Sequence, residues 1–378
     1  VFNFGSDSSF AGAKTPQGNQ DANSVGDFFY PVPNSYLALC TSNLPEVDVI
    51  PSEHFNTVLY SGTGSTQSIT GVGFQPDMFW AKTRNAVDSH ALLDSVRGGE
   101  NFLYPNLTDA EWTDGGVTYY IGYDSDGVTL NGAGSSYNLT GRTYAAWNWK
   151  AGGAASSNTN GSITSQVSAN PSAGFSIVSW VGTDTTGSVG HSLSQIPELI
   201  ISKSRTVVGD WIVPTTVIDG SMDYSRLNTT NAFATYGVTA TTSSIFYTAG
   251  GAGNRGDMIA YAFHSVVGHS RVGSYIGNGN ADGPFVHCGF KVAYVLIKRT
   301  DSATNGWWYI SDAVRSTDNV VGLELYADLV DDETVTDRLD YTSNGFKLRT
   351  ANAMLNANGG TYLFYAVAES PFKHTNAR

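Results

Sequence analysis

Large apolar residues alternate with small or polar ones in three long segments of the chain, residues 143–151, 257–265 and 361–369. A period of two residues is typical of a β-strand, with one face packed and the other less buried. Glycines such as Gly141 and Gly256 lie within two residues of the start of these segments and suit the turns that precede them. The pattern therefore predicts three long strands that close three similar units.

The segments before these strands also repeat. Residues 73–82 match residues 289–298, and residues 196–203 take the same place in a middle copy. Two Asp-x-x-Arg pairs recur and are missing from the middle copy: Asp94 with Arg97, and Asp312 with Arg315. Such repeats indicate duplicated structural units. No apolar period of 3.6 residues is sustained, and residues 101–111 are the best helix candidate. We predict an all-β fold of three tandem, antiparallel, jelly-roll-like β-sandwich modules.

The repeats divide the chain into five ranges. We assign residues 1–54 to the end of an upstream domain and a linker, and the Gly-, Ser- and Asn-rich residues 152–172 to a second linker. Modules 1, 2 and 3 are then residues 55–151, 173–266 and 267–378. Because the second junction is only a few residues long, we expect a rigid joint between modules 2 and 3 and a hinge between modules 1 and 2.

The composition favours short strands joined by tight turns, with 42 Gly, 20 Tyr, 18 Phe and 8 Trp among 378 residues. Charged residues make up only 14%, yet the formal net charge is -13. This sign argues against nucleic acid as a partner, since phosphate binding needs a basic face. No apolar run approaches the length of a membrane helix, so we expect no membrane insertion. The two cysteines, Cys40 and Cys288, are expected to be buried free thiols.

Sequence motifs for catalysis, cofactors and metals are missing. The chain has no phosphate-binding loop, no dinucleotide fingerprint and no nucleophile elbow. Residues 278–283 begin like a calcium loop, but Gly289 stands where that loop needs a glutamate. We therefore expect no catalytic residue, no metal, no cofactor and no enzymatic activity. The enzymatic alternative is a glycan depolymerase that uses the acidic cluster from Asp331 to Asp340.

A basic pair ends the same strand of each repeat: Lys82 with Arg84, Lys203 with Arg205, and Lys298 with Arg299. As functional groups, these residues would bind an anion. As structural groups, they would bond to the backbone or to the Asp-x-x-Arg pairs within each module. Repetition along one chain favours the structural role, because catalysis seldom needs three copies of a site.

Aromatic residues are the remaining candidates for ligand binding, because a tryptophan ring can stack on the apolar face of a sugar. Most tryptophans lie on alternating strands and are expected in the core. Trp112 lies in a polar, loop-like stretch, and of the adjacent Trp307 and Trp308 we expect one to be exposed. We therefore take Trp112, Trp307 and Trp308 as the candidate ligand-binding residues.

The start of the chain, Asn3-Phe-Gly followed by Phe10, resembles the last strand of a SPRY or concanavalin-like sandwich. Nearly all of the chain resembles the C-terminal repeat region of virion proteins from marine tailed bacteriophages. The segments that carry this second resemblance are residues 3–5, 29–41, 51–56, 71–77, 94–98, 147–150, 273–275 and 368–373. The resemblance implies a structural or tail-fibre role with a SPRY-like or concanavalin-like domain upstream, and it carries over no catalytic residue.

We therefore expect a virion surface protein on an extracellular particle, in the first place a tail fibre or host-recognition adhesin. It would form a homotrimer, contact other virion proteins and bind host surface glycan through aromatic and amide side chains on loops. A capsid decoration or head-fibre protein is the alternative within the same class. The depolymerase is the alternative from the enzyme class.

Overall fold

The computed structural model describes residues 5–43, 49–115 and 118–369. They form two compact units, which we describe separately: residues 5–43 and residues 49–369. Almost all regular structure is β-strand in antiparallel sheets, so the all-β prediction is confirmed. In the described part of the chain, no helix has the length and apolar character needed to cross a membrane.

Hydrogen bonds to one carboxylate, that of Asp21, organise the first unit. Asp21 accepts a hydrogen bond from the backbone of Ala38 at 2.7 Å and one from the side chain of Asn43 at 2.6 Å. Part of the strand expected at the start of the chain, residues 1–4, lies outside the described residues. Residues 5–10 consist mainly of bends and turns.

Both cysteines are free, as predicted, but their environments differ. Cys288 is buried, and burial raises the pKa of its thiol to about 12. Cys40 is exposed, which corrects the prediction of a buried thiol there. Leu37 and Leu39 beside it are exposed as well, although Ala38 is buried, because this part of the chain makes bends rather than a packed strand.

Module 1 contains two antiparallel sheets and a short strand pair. Its strands are β1 (Phe55–Ser61), β2 (Gln67–Thr70), β3 (Met78–Thr83), β4 (Ala91–Asp94), β5 (Asn101–Phe102), β6 (Trp112–Thr113), β7 (Tyr120–Asp124), β8 (Gly127–Asn131) and β9 (Thr143–Trp149). The sheets have the orders β1-β9-β3-β4 and β2-β8-β7, and β5 pairs with β6. The helix candidate at residues 101–111 is therefore wrong, since strand β5 begins it.

Module 2 has one large sheet and one small sheet. Its strands are β10 (Ser156–Asn158), β11 (Ser165–Asn170), β12 (Phe175–Val181), β13 (Gly187–Gly190), β14 (Leu199–Ser204), β15 (Ile212–Thr215), β16 (Asp223–Arg226), β17 (Ala234–Thr235), β18 (Ile245–Thr248) and β19 (Asp257–Phe263). The orders are β10-β11-β12-β19-β14-β15-β16-β17 and β13-β18. Strands β10 and β11 lie within residues 152–172, which corrects the prediction of a linker there.

Module 3 is a single sheet of eight strands. They are β20 (Ser270–Ile276), β21 (Phe285–His287), β22 (Val292–Arg299), β23 (Trp308–Asp312), β24 (Val321–Tyr326), β25 (Thr334–Thr342), β26 (Gly345–Leu348) and β27 (Thr361–Ala368), in the order β20-β27-β22-β23-β24-β25-β26-β21. One short helix, α1 (Ala353–Asn356), is capped by Asn352, and 3-10 turns occur at Thr41–Asn43, Pro51–Glu53 and Gly251–Gly253.

The three predicted closing strands, β9, β19 and β27, lie inside the main sheet of each module, and both of their faces are buried. In β9, Tyr144 is fully buried and Ala146 packs in the core of module 1. Trp147 and Trp149 point the other way, into a larger cluster. The expectation of one less buried face is therefore wrong, because that face meets the other modules.

This larger cluster is a core shared by all three modules. It joins Trp80 and Trp147 of module 1, Tyr261 of module 2, and Tyr294 and Tyr365 of module 3 with other buried residues. Each module also keeps a core of its own. Residues 49–369 consequently form one compact unit, which corrects the expectation of a hinge between modules 1 and 2.

The same contacts recur where one module meets the next. The ring nitrogens of Trp211, Trp308 and His90 lie 3.0, 2.8 and 2.9 Å from the carbonyl oxygens of Tyr104, Arg226 and Tyr326. The backbone amides of Glu111, Phe233 and Glu333 donate to the carbonyl oxygens of Arg205, Thr300 and Arg84. Module 1 thus contacts module 2, module 2 contacts module 3, and module 3 contacts module 1, which closes a ring.

The repeated lysines belong to these interfaces. Lys203 Nζ donates to Thr108 O at 3.1 Å, and Lys298 Nζ donates to Thr230 O at 2.9 Å, each across a module boundary. Burial lowers the pKa of Lys82, Lys203 and Lys298 from 10.5 to about 8. The amines therefore bond to backbone carbonyls, as the structural role predicted. The prediction that these bonds stay within each module is wrong for Lys203 and Lys298, because Thr108 and Thr230 lie in the preceding module.

Candidate functional site

An open cleft in module 1 combines aromatic and acidic side chains. Its volume is about 710 Å³, which is within the usual range for small-ligand sites. The lining side chains include Asp88, Phe102, Tyr104, Asp109, Glu111, Trp112, Tyr119 and Tyr137. Trp112, one of the predicted ligand-binding residues, is therefore on the wall of a cleft.

The indole ring of Trp112 is held by other aromatic rings. Strand β6 places Trp112 opposite Phe102 of β5, with ring centroids 5.5 Å apart. Tyr119 meets the same indole edge-on at 5.8 Å, and Phe102 stacks on Tyr137 at 5.3 Å. Trp112 is still 42% exposed. A rigid indole with one accessible surface is a platform on which a flat, partly apolar ligand can stack.

The three acidic side chains of the cleft differ in their partners. Glu111 is partly buried, which disfavours its charge, but hydrogen bonds and ion pairs with Arg205 and Arg97 lower its pKa overall. Asp88 is paired with Arg142. Asp109 is exposed, and its carboxylate has no hydrogen bond or ion pair with any described residue. Asp109 is therefore the acid in the cleft that can accept hydrogen bonds from a ligand.

Tyr104 adds a hydrogen-bond donor. Burial, together with the nearby carboxylates of Asp109 and Asp88, raises the pKa of its phenol. The phenol, which is protonated at neutral pH at its ordinary pKa, is thus held even more firmly in that form. A protonated phenol can both donate and accept a hydrogen bond, as a ligand hydroxyl requires.

Module 1 alone carries an aromatic ring at this position. The carbonyls of Tyr104, Arg226 and Tyr326 make equivalent contacts with the next module. Eight residues further along the chain, modules 1, 2 and 3 have Trp112, Ala234 and Thr334. The threefold frame does not need a tryptophan there, so packing of the repeat does not explain the exposed indole.

The other two predicted residues lie outside this cleft. Trp308 is 1% exposed, and its Nε1 donates to Arg226 O at 2.8 Å. It fills the shared core and cannot reach a ligand, so the prediction for Trp308 is corrected. Trp307 is half-buried, with its ring centroid 6.3 Å from that of Tyr326.

Two acids of the cluster in module 3, Glu333 and Asp340, are engaged in ion pairs, while Asp331, Asp332 and Asp337 are exposed. Glu333 binds Arg84 at 2.8 Å and Arg315 at 3.1 Å, which ties module 3 to module 1. Asp340 lies 3.3 Å from Arg349. Within residues 5–43, 49–115 and 118–369, no group of three His, Cys, Asp or Glu side chains is arranged to hold a metal ion.

The sequence pointed to Trp112 but not to the residues around it. Phe102 and Asp109 fall in the stretch taken as a helix candidate, and Tyr119 is one of 20 tyrosines. A usable signal is that the repeat position of Trp112 holds Ala234 in module 2 and Thr334 in module 3. This signal can be found only once the register of the repeats is known.

A comparison with protein families assigns most of the chain. A family model described as a domain of unknown function, DUF7483, matches residues 50–371. The chain belongs to the DUF7483 family. The matched range agrees with the second compact unit, so the DUF7483 domain contains the ring of three modules and its cleft. No curated protein and no solved structure matches the chain.

Proposed function

We propose that this chain is a surface protein of a tailed-phage particle, of the tail-fibre or adhesin type, that binds host glycan in the module 1 cleft. The exposed Trp112 platform carries the proposal, because it stands beside the free carboxylate of Asp109 and the protonated phenol of Tyr104. A sugar ring presents an apolar face for stacking and hydroxyls for such polar groups. The resemblance to phage virion repeats and the low content of charged residues support the location.

One substitution in the cleft, Trp112→Ala, tests whether glycan binds there. Trp112→Ala removes the stacking surface while Phe102 and Tyr119 stay in place, so binding to a glycan found by array screening should weaken at least about tenfold. Trp307→Ala is the matched control, since its ring lies outside the cleft and glycan affinity should be unchanged. Isothermal titration calorimetry measures both. Equal affinity of Trp112→Ala and the parent chain would remove the cleft from the proposal.

Capsid decoration is the second candidate role, and the shared core supports it. Three modules fused around one core form a rigid body suited to display on a particle. Immunogold labelling of phage particles separates the roles, because an adhesin labels tails and a decoration protein labels heads. Assembly of the chain as a homotrimer stays a prediction, which sedimentation of the purified protein checks.

A depolymerase would need two free carboxylates on either side of a bound sugar. In the cleft, Glu111 and Asp88 are engaged by arginines, which favours binding over cleavage. Release of reducing sugar from host polysaccharide by the intact chain, lost in Asp109→Asn, would instead assign the cleft to hydrolysis.

A further inference from the structure

In module 2, a segment of the chain is inserted between two strands that belong to different sheets. Strand β11 pairs with β12, with Gln166 opposite Ser179, and Ile163 bridges Val189 of β13. The fit to β13 is close, because a Cβ atom at Gly190 would lie 2.1 Å from Asn158 Oδ1. Residues 156–170 therefore fill a gap that would otherwise separate β12 from β13.

Module 3 has the same gap without an inserted segment. Strands β20 and β21 are the two ends of its eight-stranded sheet, and they approach each other where Arg271 Nη1 lies 3.4 Å from His287 Nδ1. We call the gap between β20 and β21 the module 3 seam. The chain before β20 is too short to fill it, because β19 ends at Phe263 and β20 begins at Ser270.

Backbone groups on both sides of the seam face outward. Gly277 N donates to Gly360 O, which directs alternate residues of β20 towards β27 and leaves Ser274 and Ile276 facing the seam. By the same alternation, Leu348 N donates to Pro284 O, so Phe285 and His287 of β21 face the seam. The backbone groups of Ser274, Ile276, Phe285 and His287 that face the seam make no hydrogen bond to another described residue.

The seam also exposes apolar surface. Ile276 is 65% exposed and Phe285 is 46% exposed. An edge with unpaired amides and carbonyls beside apolar side chains is a template for an added strand. Module 1 differs, because Asn56 Nδ2 bonds to Val72 O and Gln67 Nε2 bonds to Ser61 O, so amide side chains close its gap.

We propose that the module 3 seam binds an extended, uncharged segment of a partner protein by strand addition, as residues 156–170 do within module 2. The chemistry of the occupant follows from that internal example. Residues 162–170 read Ser-Ile-Thr-Ser-Gln-Val-Ser-Ala-Asn, without charge and with the apolar Ile163, Val167 and Ala169 on one face of the segment. A partner segment of this kind would satisfy the backbone of Ser274 and Ile276 and cover Phe285.

A peptide with the sequence of residues 162–170, labelled with fluorescein, tests the seam directly. It should bind the full chain saturably in fluorescence anisotropy. Ser274→Pro should weaken that binding at least about tenfold, because proline removes an edge amide, and it should still fold, since this amide does not face β27. Ser274→Ala should bind as the parent does, because it keeps the backbone amide. A thermal unfolding curve shows whether Ser274→Pro is folded.

Three results would overturn the proposal. The first is the absence of saturable binding at peptide concentrations up to about 1 mM. The second is equal binding of a scrambled peptide. The third is unchanged binding to folded Ser274→Pro, which would place the peptide elsewhere, for example on β12 after displacement of β11. If Ser274→Pro is unfolded, the test uses the parent chain and a peptide whose backbone amide at Gln166 is N-methylated. This peptide has lost a donor that strand addition needs, so binding as tight as that of the unmodified peptide would overturn the proposal.

Discussion

At the scale of single residues, two of the three module interfaces share one set of charges. At the first interface, Arg97 is bound by Asp94 at 2.5 Å and by Glu111 at 2.8 Å, and Glu111 also binds Arg205. At the closing interface, the same places are taken by Arg315, Asp312, Glu333 and Arg84. At the remaining interface they are taken by Ile218, Thr215, Phe233 and Thr300. All four charged positions of the network are thus occupied by uncharged residues at this interface. This is expected, because losing only one of the charges would leave a buried charge without its partner.

The first prediction concerns that penalty. Arg97→Ala should lower the free energy of unfolding by about 3–5 kcal/mol, because it leaves Asp94 buried without its cation. Arg255→Ala is the control, since Arg255 and Asp184 are both exposed and such a pair contributes at most about 1 kcal/mol. Urea unfolding measures both variants. Equal effects of the two changes would show that the buried network has no special weight.

The second prediction concerns three buried histidines. Burial lowers the pKa of His90 and His269 from 6.5 to about 3 and that of His191 to about 4. The unfolded chain therefore binds more protons than the folded chain below pH 6.5, so stability falls as the pH falls through this range, by up to about 1.4 kcal/mol per pH unit for each histidine. His269→Gln should make the slope less steep by one such contribution. The free energy of unfolding in urea, measured at several pH values between 7 and 5, gives this slope. The same pH dependence in His269→Gln and the parent chain would contradict this cause.

At the scale of elements, the repeats were visible in the sequence but their surroundings were not. Alternation in residues 143–151 predicted strand β9 correctly, since period-two patterning reports a strand whatever covers it. It did not report that the second face meets another module, because Trp147 and Trp149 look the same in either kind of core. Residues 152–172 have the small polar side chains of a linker. Such a segment can nevertheless form a strand where the open edge of a sheet accepts it, as β11 does on β12.

The third prediction concerns β11. Gln166 is exposed, yet its backbone faces β12, so Gln166→Pro should detach β11 and make residues 152–172 the first site of limited proteolysis. Gln166→Ala keeps the backbone amide and should resist protease as the parent does. If both variants are cut at the same rate as the parent, β11 contributes little to module 2.

At the scale of the whole molecule, the sequence predicted three copies of one unit but not their arrangement. The repeated Lys82, Lys203 and Lys298 marked equivalent positions. In the structure, Lys203 and Lys298 bond across module interfaces, and Lys82 bonds within module 1 but interacts electrostatically with Asp331 and Asp332 of module 3. Closure of the ring depends on contacts between module 3 and module 1, such as Glu333 with Arg84, which are distant in sequence. Local sequence patterns indicate periodicity and turns. They cannot indicate that Arg84 pairs with Glu333, which is far away in the sequence.

The shared core is the central claim, and differential scanning calorimetry of the full chain tests it most directly. Three modules that bury their closing strands in one cluster should unfold together, in a single main transition whose calorimetric and van't Hoff enthalpies agree. Arg84→Ala, which removes the ion pair with Glu333 between modules 3 and 1, should lower the temperature of that whole transition. Separate transitions for the modules, with only one of them shifted by Arg84→Ala, would contradict the account.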